Sequence, residues 1–274
     1  MQDYTGKDTG ALRRKRLFLF DMDGTIYEGE RLFDGVKEML AGIRERGGRA
    51  VFITNNSSRS VQAYRDKLAR MGIPAEEGDF FTSAQATALY LNREYPGKKV
   101  YCMGTRSLTE ELEKAGVAVV GMEEEHPDVI LVGYDTELTY EKVCHTTRML
   151  LRGLPYIATN PDRVCPIEFG FVPDCAAMCE MLAFAVHRYP KYIGKPEPDM
   201  ILTAMERAGA SKEETVVIGD RLYTDIASGV NAGVSTACVL CGESDWQDVQ
   251  DSPVKPEFVF EDITDFAAAI REKA

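Results

Sequence analysis

An apolar run, Leu17-Phe18-Leu19-Phe20, ends abruptly in Asp21-Met22-Asp23-Gly24-Thr25. In an extended chain residues i and i+2 share a side, so Asp21 and Asp23 converge at one strand end. Open α/β sheets hold their ligands at the carboxyl ends of strands. Two close carboxylates repel and raise a pKa unless a cation neutralises them, and an oxygen-rich set of this kind suits Mg²⁺. Standing alone, such a pair would also fit a solvated Asp-Gly turn. Three further segments carry polar groups at the ends of expected strands or turns. Thr54-Asn55-Asn56-Ser57-Ser58 follows Val51-Phe52-Ile53, offering donors for phosphoryl oxygens or simply a loop and helix cap. Gly194-Lys195-Pro196 precedes Glu197-Pro198 in a turn too rigid to continue a helix, and its lysine is either a site cation or a surface residue. Val216-Val217-Ile218-Gly219 ends in Asp220, with Asp225 beyond it near a helix start, where an acidic residue is ordinary.

The elements that must position these groups repeat one pattern: an apolar-periodic helix stops at glycine, and a short β-rich run follows. Asp34 opens Val36, Met39, Leu40 and Ile43, and Gly47-Gly48 stop them; Ser60 opens Val61, Tyr64, Leu68 and Met71, and Gly72-Ile73-Pro74 end them. Glycine suits the left-handed residue just past a helix. Leu17–Phe20, Ala50–Ile53, Val100–Met103, Val129–Val132, Thr215–Ile218 and Thr236–Leu240 are continuous apolar runs, as expected for strands covered by helices on both faces. The fold class is therefore α/β, with a doubly wound, parallel, Rossmann-like sheet. So many strands do not suit one sheet. Polar, small-residue stretches near Thr82-Ser83-Ala84 and Arg188–Gly194 divide the chain into a catalytic core (17–83 and 190–274) and an inserted α/β domain (84–189). Residues 1–16 read as a loose polar arm, with Arg13-Arg14-Lys15-Arg16 a solvated flank.

Composition narrows the function classes. Of 274 residues, 45% are hydrophobic and 28% charged, so disorder, collagen and coiled coil are excluded. No apolar run approaches the roughly 18 residues of a membrane span, and no secretory signal is apparent. With 32 Lys and Arg against 44 Asp and Glu, the net charge of −12 disfavours nucleic acid or an anionic membrane as a partner. Seven cysteines without a secreted framework point to a reducing cytoplasm.

The joint order of the polar segments is more specific than any one of them, and the chain after residue 16 resembles the haloacid-dehalogenase-like hydrolases. Asp21-Met22-Asp23-Gly24-Thr25 is similar to their first motif, Thr54-Asn55 to the second, Lys195 to the third and Gly219-Asp220 through Asp225 to the fourth. The long insertion, with Thr159-Asn160-Pro161-Asp162 inside it, resembles the NagD-type, nitrophenylphosphatase-like branch with a type IIA cap. The resemblance implies a Mg²⁺-dependent phosphatase of small phosphorylated metabolites. Asp21 would attack phosphorus and form an aspartyl-phosphate, while Asp23 would protonate the leaving group and then activate water. Mg²⁺ would be held by Asp21, Asp220 and the backbone carbonyl of Asp23; Thr54, Asn55 and Lys195 would carry the phosphoryl oxygens. Asp225 would orient Lys195 or metal-bound water. Thr25 and Tyr27 would lie in a mobile segment, with Glu28-Gly29-Glu30 as a hairpin turn. A homodimer joined through the cap also fits the resemblance. A phosphotransferase or phosphomutase would use the same intermediate, and a non-catalytic phosphometabolite-binding protein would use the same fold. Sugar phosphates, nucleotides, phosphoglycolate and pyridoxal phosphate all suit such a site.

One stretch departs from the family pattern: Val172-Pro173-Asp174-Cys175-Ala176-Ala177 stands where relatives carry a Pro-Gly-x-Gly turn, which leaves the local turn open. Other features read as packing. Cys238-Val239-Leu240-Cys241 lacks a second pair for zinc, Cys175 and Cys179 share a helix face, and His126, His145 and His187 are scattered.

Overall fold

The computed structural model describes residues 1–167 and 169–271, and the chain divides there into two units. One comprises Met1–Thr54, Arg65–Phe81 and the chain from Lys195 onward; the other comprises Asn55–Tyr64 and Thr82–Gly194.

The first unit is built on a 6-stranded sheet in the spatial order Phe258–Phe260, Ser235–Val239, Thr215–Gly219, Leu17–Phe20, Arg49–Thr54, Phe80–Thr82. The pairings from Phe258–Phe260 through Arg49–Thr54 are all parallel. Leu17–Phe20 and Thr215–Gly219 are buried along their whole lengths, which explains why they read as unbroken apolar runs. The chain starts at the centre of the sheet, winds one way through Arg49–Thr54, and later returns beside its first strand to wind the other way. Leu17–Phe20 and Thr215–Gly219 thus flank the point where strand order reverses, which in such sheets is the ligand crevice. Their register pairs Phe20 with Ile218, so Asp21 and Asp220 leave the sheet side by side.

Helices close the core. Val36–Glu45 buries Val36, Met39, Leu40 and Ile43, although Gly35, at φ 77°, takes the cap position expected of Asp34. Phe266, from the helix Ile263–Arg271, meets Phe18, Phe20 and Phe260 edge-on at 6.4, 6.1 and 5.4 Å between ring centroids. That geometry adds to the area the aromatic side chains bury.

The N-terminal segment is not the loose arm its composition suggests. Tyr4 N–H donates to the Val259 carbonyl at 2.8 Å, and Val259 N–H donates to Asp3 Oδ2 at 3.1 Å. The segment therefore satisfies the backbone of an edge strand that would otherwise be open to another chain. A 3₁₀ turn at Gly10–Arg14 buries Leu12 completely, and Lys15 Nζ donates to the Glu213 carbonyl at 2.7 Å. Composition misled because one apolar residue and the backbone do the docking.

The second unit carries a 5-stranded sheet in the order Lys191–Tyr192, Tyr156–Ala158, Val129–Val132, Lys99–Met103, Ala118–Val120, parallel throughout. An antiparallel hairpin, Val164–Ile167 with Gly170–Pro173, precedes the helix Cys175–Val186. Asp174 caps that helix through a hydrogen bond from Cys175 N–H, so a capping carboxylate opens the helix where the family pattern has glycines. Cys175 and Cys179 pack in the core of this unit beside Met178, Leu182 and Val186.

Candidate active site

Strand ends deliver the polar groups of the first unit. Asp21 follows Phe20 and donates its N–H to the Ile218 carbonyl at 2.8 Å, while Asp220 follows Gly219 on the neighbouring strand. Carboxylate oxygens of Asp21, Asp220 and Asp225 lie within 4.8 Å of one another, and all three residues are buried. Lys195 is buried at 2% exposure, and its Nζ reaches Asp21 Oδ1 at 2.6 Å, Asp225 Oδ1 at 2.5 Å and the Ile53 carbonyl at 3.4 Å. Asp225 stands on a single wide helical turn, Leu222–Ile226; its Oδ2 accepts the Arg221 N–H at 3.2 Å.

Asp220 is fixed by its neighbours: Oδ1 accepts Thr25 Oγ1 at 3.2 Å and Oδ2 accepts Glu243 N–H at 2.7 Å. Gly24 is required here twice over. Its φ of +85° lies in the left-handed region, and a Cβ would run into the Asp220 carboxylate.

Electrostatics follow from this crowding. Burial, reinforced by Asp225, raises Asp21 well above the usual carboxylate range, although Lys195 opposes the shift. Burial and Asp225 push Asp220 up to about 6. Burial works against the charge on Lys195, but Asp21 and Asp225 outweigh it and raise the amine above its ordinary value. Three buried carboxylates around one ammonium leave a deficit of positive charge. Hard oxygen donors with that deficit fit a divalent cation such as Mg²⁺.

Asp23 is more open than these three carboxylates, its side chain 36% exposed. Tyr27 Oη donates to Asp23 Oδ2 at 3.3 Å, and Lys67 Nζ lies 3.6 Å from Oδ1. The short strands Tyr27–Glu28 and Arg31–Leu32 pair as a hairpin turning at Gly29-Glu30. Thr54 is buried at the end of Arg49–Thr54. Asn55, the next residue, is grouped with the second unit, where its amide donates to Asp162 Oδ2 at 2.7 Å. Asn160 donates to the same oxygen at 2.9 Å and to Asp174 Oδ1 at 3.1 Å, so the Thr-Asn-Pro-Asp segment forms a buried polar network.

A buried acid cluster joined by one lysine at a sheet's switch point is the arrangement that the resemblance of the motifs implies. Residues 18–118 match the Haloacid dehalogenase-like hydrolase family and residues 192–266 a HAD-hydrolase-like family. Across 261 residues, 95% of this chain and 100% of the relative, the sequence is 35% identical to an acid sugar phosphatase of Staphylococcus aureus. The chain belongs to the haloacid-dehalogenase-like hydrolases.

Among solved structures of this family, a 4-nitrophenylphosphatase from Thermotoga maritima superposes with a TM-score of 0.90 at 36% identity, covering 95% of this chain and 99% of that one. NagD from Escherichia coli K-12 gives 0.83 at 34% identity over 91% and 97%. A glycerol phosphate phosphatase from Mycobacterium tuberculosis, solved in complex with magnesium, gives 0.88 at 29% identity over 96% and 78%. The protein is a phosphatase of the NagD-type branch of these hydrolases.

Two contributors to the hydrolase site escaped the reading of the sequence. The Glu243 N–H that holds Asp220 comes from a loop with no distinguishing motif. Lys67 did leave a signal, since it sits three residues after Tyr64 and four before Met71, on the apolar face of Val61–Arg70. A lysine at such a position is buried with its charge matched.

Proposed function

We propose that this phosphatase hydrolyses monoesters of small phosphorylated metabolites, sugar phosphates foremost, by two displacements at Asp21 with Mg²⁺ bound beside it. The observation that carries the reading is the contact of Lys195 with both Asp21 and Asp225 inside a buried acid cluster. The name of the Staphylococcus aureus relative supports the substrate class.

Phosphate monoesters are inert, and a covalent intermediate divides their hydrolysis into two easier steps. The carboxylate of Asp21 attacks phosphorus while the ester oxygen departs, and Asp23 gives that oxygen its proton. Asp23 then removes a proton from water as the water attacks the aspartyl-phosphate, releasing phosphate and restoring Asp21. Lys195 opposes the upward shift of Asp21 and orients it, and Thr54 at its strand end is assigned to the phosphoryl oxygens. Asp21, Asp220 and the backbone carbonyl of Asp23 would hold Mg²⁺; when bound, it offsets the repulsion between an anionic nucleophile and an anionic substrate. The seven free cysteines support action in a reducing cytoplasm. Among the described residues, no helix is long and apolar enough to cross a membrane.

The test is phosphate release from a panel of sugar phosphates, nucleoside monophosphates, phosphoglycolate and pyridoxal phosphate, with and without Mg²⁺. Asp21→Asn should abolish metal-dependent turnover on every member. A folded wild type inactive on the whole panel in Mg²⁺ would turn the reading toward a phosphotransferase or a binding role.

A further inference from the structure

We infer that Lys67 is a positioning residue for the proton donor: with Tyr27 it clamps the Asp23 carboxylate in its working orientation. The inference rests on the reading of Asp23 as acid and base given above. Lys67 is buried at 5% exposure, in a helix whose other inward residues are apolar. Its Nζ lies 3.6 Å from the centroid of the Tyr27 ring and 3.6 Å from Asp23 Oδ1. Tyr27 is fully buried, and its hydroxyl donates to Asp23 Oδ2 at 3.3 Å. Each carboxylate oxygen of Asp23 therefore faces its own partner, and the two partners brace one another through a cation–π contact.

The backbone reinforces the arrangement, because Gly24 N–H donates to the Tyr27 carbonyl at 2.9 Å and closes the turn that brings the ring beneath the acid. Burying an ammonium is costly unless its charge is matched. The cost is met here at a side chain that is itself 36% exposed and would otherwise sample several rotamers. Proton transfer needs the acid within hydrogen-bond reach of the leaving oxygen, so an unclamped Asp23 would spend much of its time out of position.

The two half-reactions give this role a kinetic signature that a merely structural lysine lacks. An alkoxide leaving group needs the proton, whereas 4-nitrophenolate departs readily without it. For Lys67→Met, kcat/KM on glycerol 3-phosphate should fall by about 10-fold or more, a fraction of the 10²–10⁴ a positioned acid supplies. On 4-nitrophenyl phosphate, kcat/KM should change less than about 3-fold, because this ratio ends at formation of the aspartyl-phosphate. Its kcat and KM should fall together, since water attack on the intermediate still needs Asp23. Lys67→Arg, which keeps the cation, should recover part of the loss. Tyr27→Phe, which keeps the ring, should give a smaller loss with the same leaving-group dependence, and it serves as the readout if Lys67→Met does not fold. Equal losses of kcat/KM on both substrates, or no loss on either, would overturn the clamp. Asp23→Asn separates the two readings: if it keeps full turnover of glycerol 3-phosphate, the assignment of Asp23 fails rather than the role of Lys67.

Discussion

Gly24 shows how narrow the tolerance of the site is at the level of one residue. It lies between Asp23 and Thr25, whose hydroxyl holds Asp220, with φ +85° and its missing Cβ directed at that carboxylate. An alanine would carry left-handed backbone strain of about 1–2 kcal/mol and also displace Asp220. Gly24→Ala should lower kcat by about 100-fold, the cost of moving a catalytic group by roughly an ångström. Far-ultraviolet circular dichroism should remain that of the wild type, and retention of full activity would show that the Asp220 carboxylate adapts freely. The placement of individual residues was readable where residue type and strand end coincide, as at Asp21 and Asp220. The charge balance around them was not, because it depends on Lys195 and Asp225 meeting across 30 positions of sequence.

Elements were legible to the extent that burial was symmetrical. Leu17–Phe20 and Val129–Val132 match their apolar runs residue for residue, because strands covered on both faces have no polar side to blur their ends. Thr236–Leu240 was displaced by one residue, the strand being Ser235–Val239. A polar residue that pairs through its backbone leaves no hydropathic mark. The N-terminal segment failed for the same reason, since its hold on Val259 is made by the Tyr4 backbone and one carboxylate oxygen of Asp3. Its contribution is measurable. Leu12, fully buried in the turn that packs against Ile263–Arg271, should cost about 2–5 kcal/mol when replaced by alanine. Urea denaturation should show the loss, while kcat/KM at a temperature well below the transition should stay within about 2-fold of wild type, because surface docking far from the chemistry leaves its geometry intact. An unchanged transition would mean that the segment contributes nothing to the fold.

The distribution of charge links the whole molecule to its site. The chain carries a net charge of −12 yet handles an anionic substrate, so the attraction must be local; under the proposed mechanism it comes from Lys195 and a bound cation. The carboxylates that invite that cation all belong to the first unit. Their cost in the metal-free protein depends on pH with a definite sign. Asp220 is pushed from 3.8 up to about 6 by burial and Asp225, so the folded state holds this proton more tightly than the unfolded chain does. The associated stability is fully present below about pH 4 and is lost as pH rises through about 6; it amounts to something on the order of 3 kcal/mol. Burial raises Asp21 in the same direction. A divalent cation takes the place of the proton, so it should stabilise the fold more at pH 7 than at pH 5. Thermal denaturation with and without Mg²⁺ at the two pH values reads the difference directly. Hydrogen exchange then locates it: added Mg²⁺ at pH 7 should increase protection in Leu17–Phe20, Thr215–Gly219 and the turn Leu222–Ile226, and leave Lys99–Met103 and Val129–Val132 of the second unit unchanged. A larger stabilisation at pH 5, or protection confined to the second unit, would place the cation somewhere other than among Asp21, Asp220 and their neighbours.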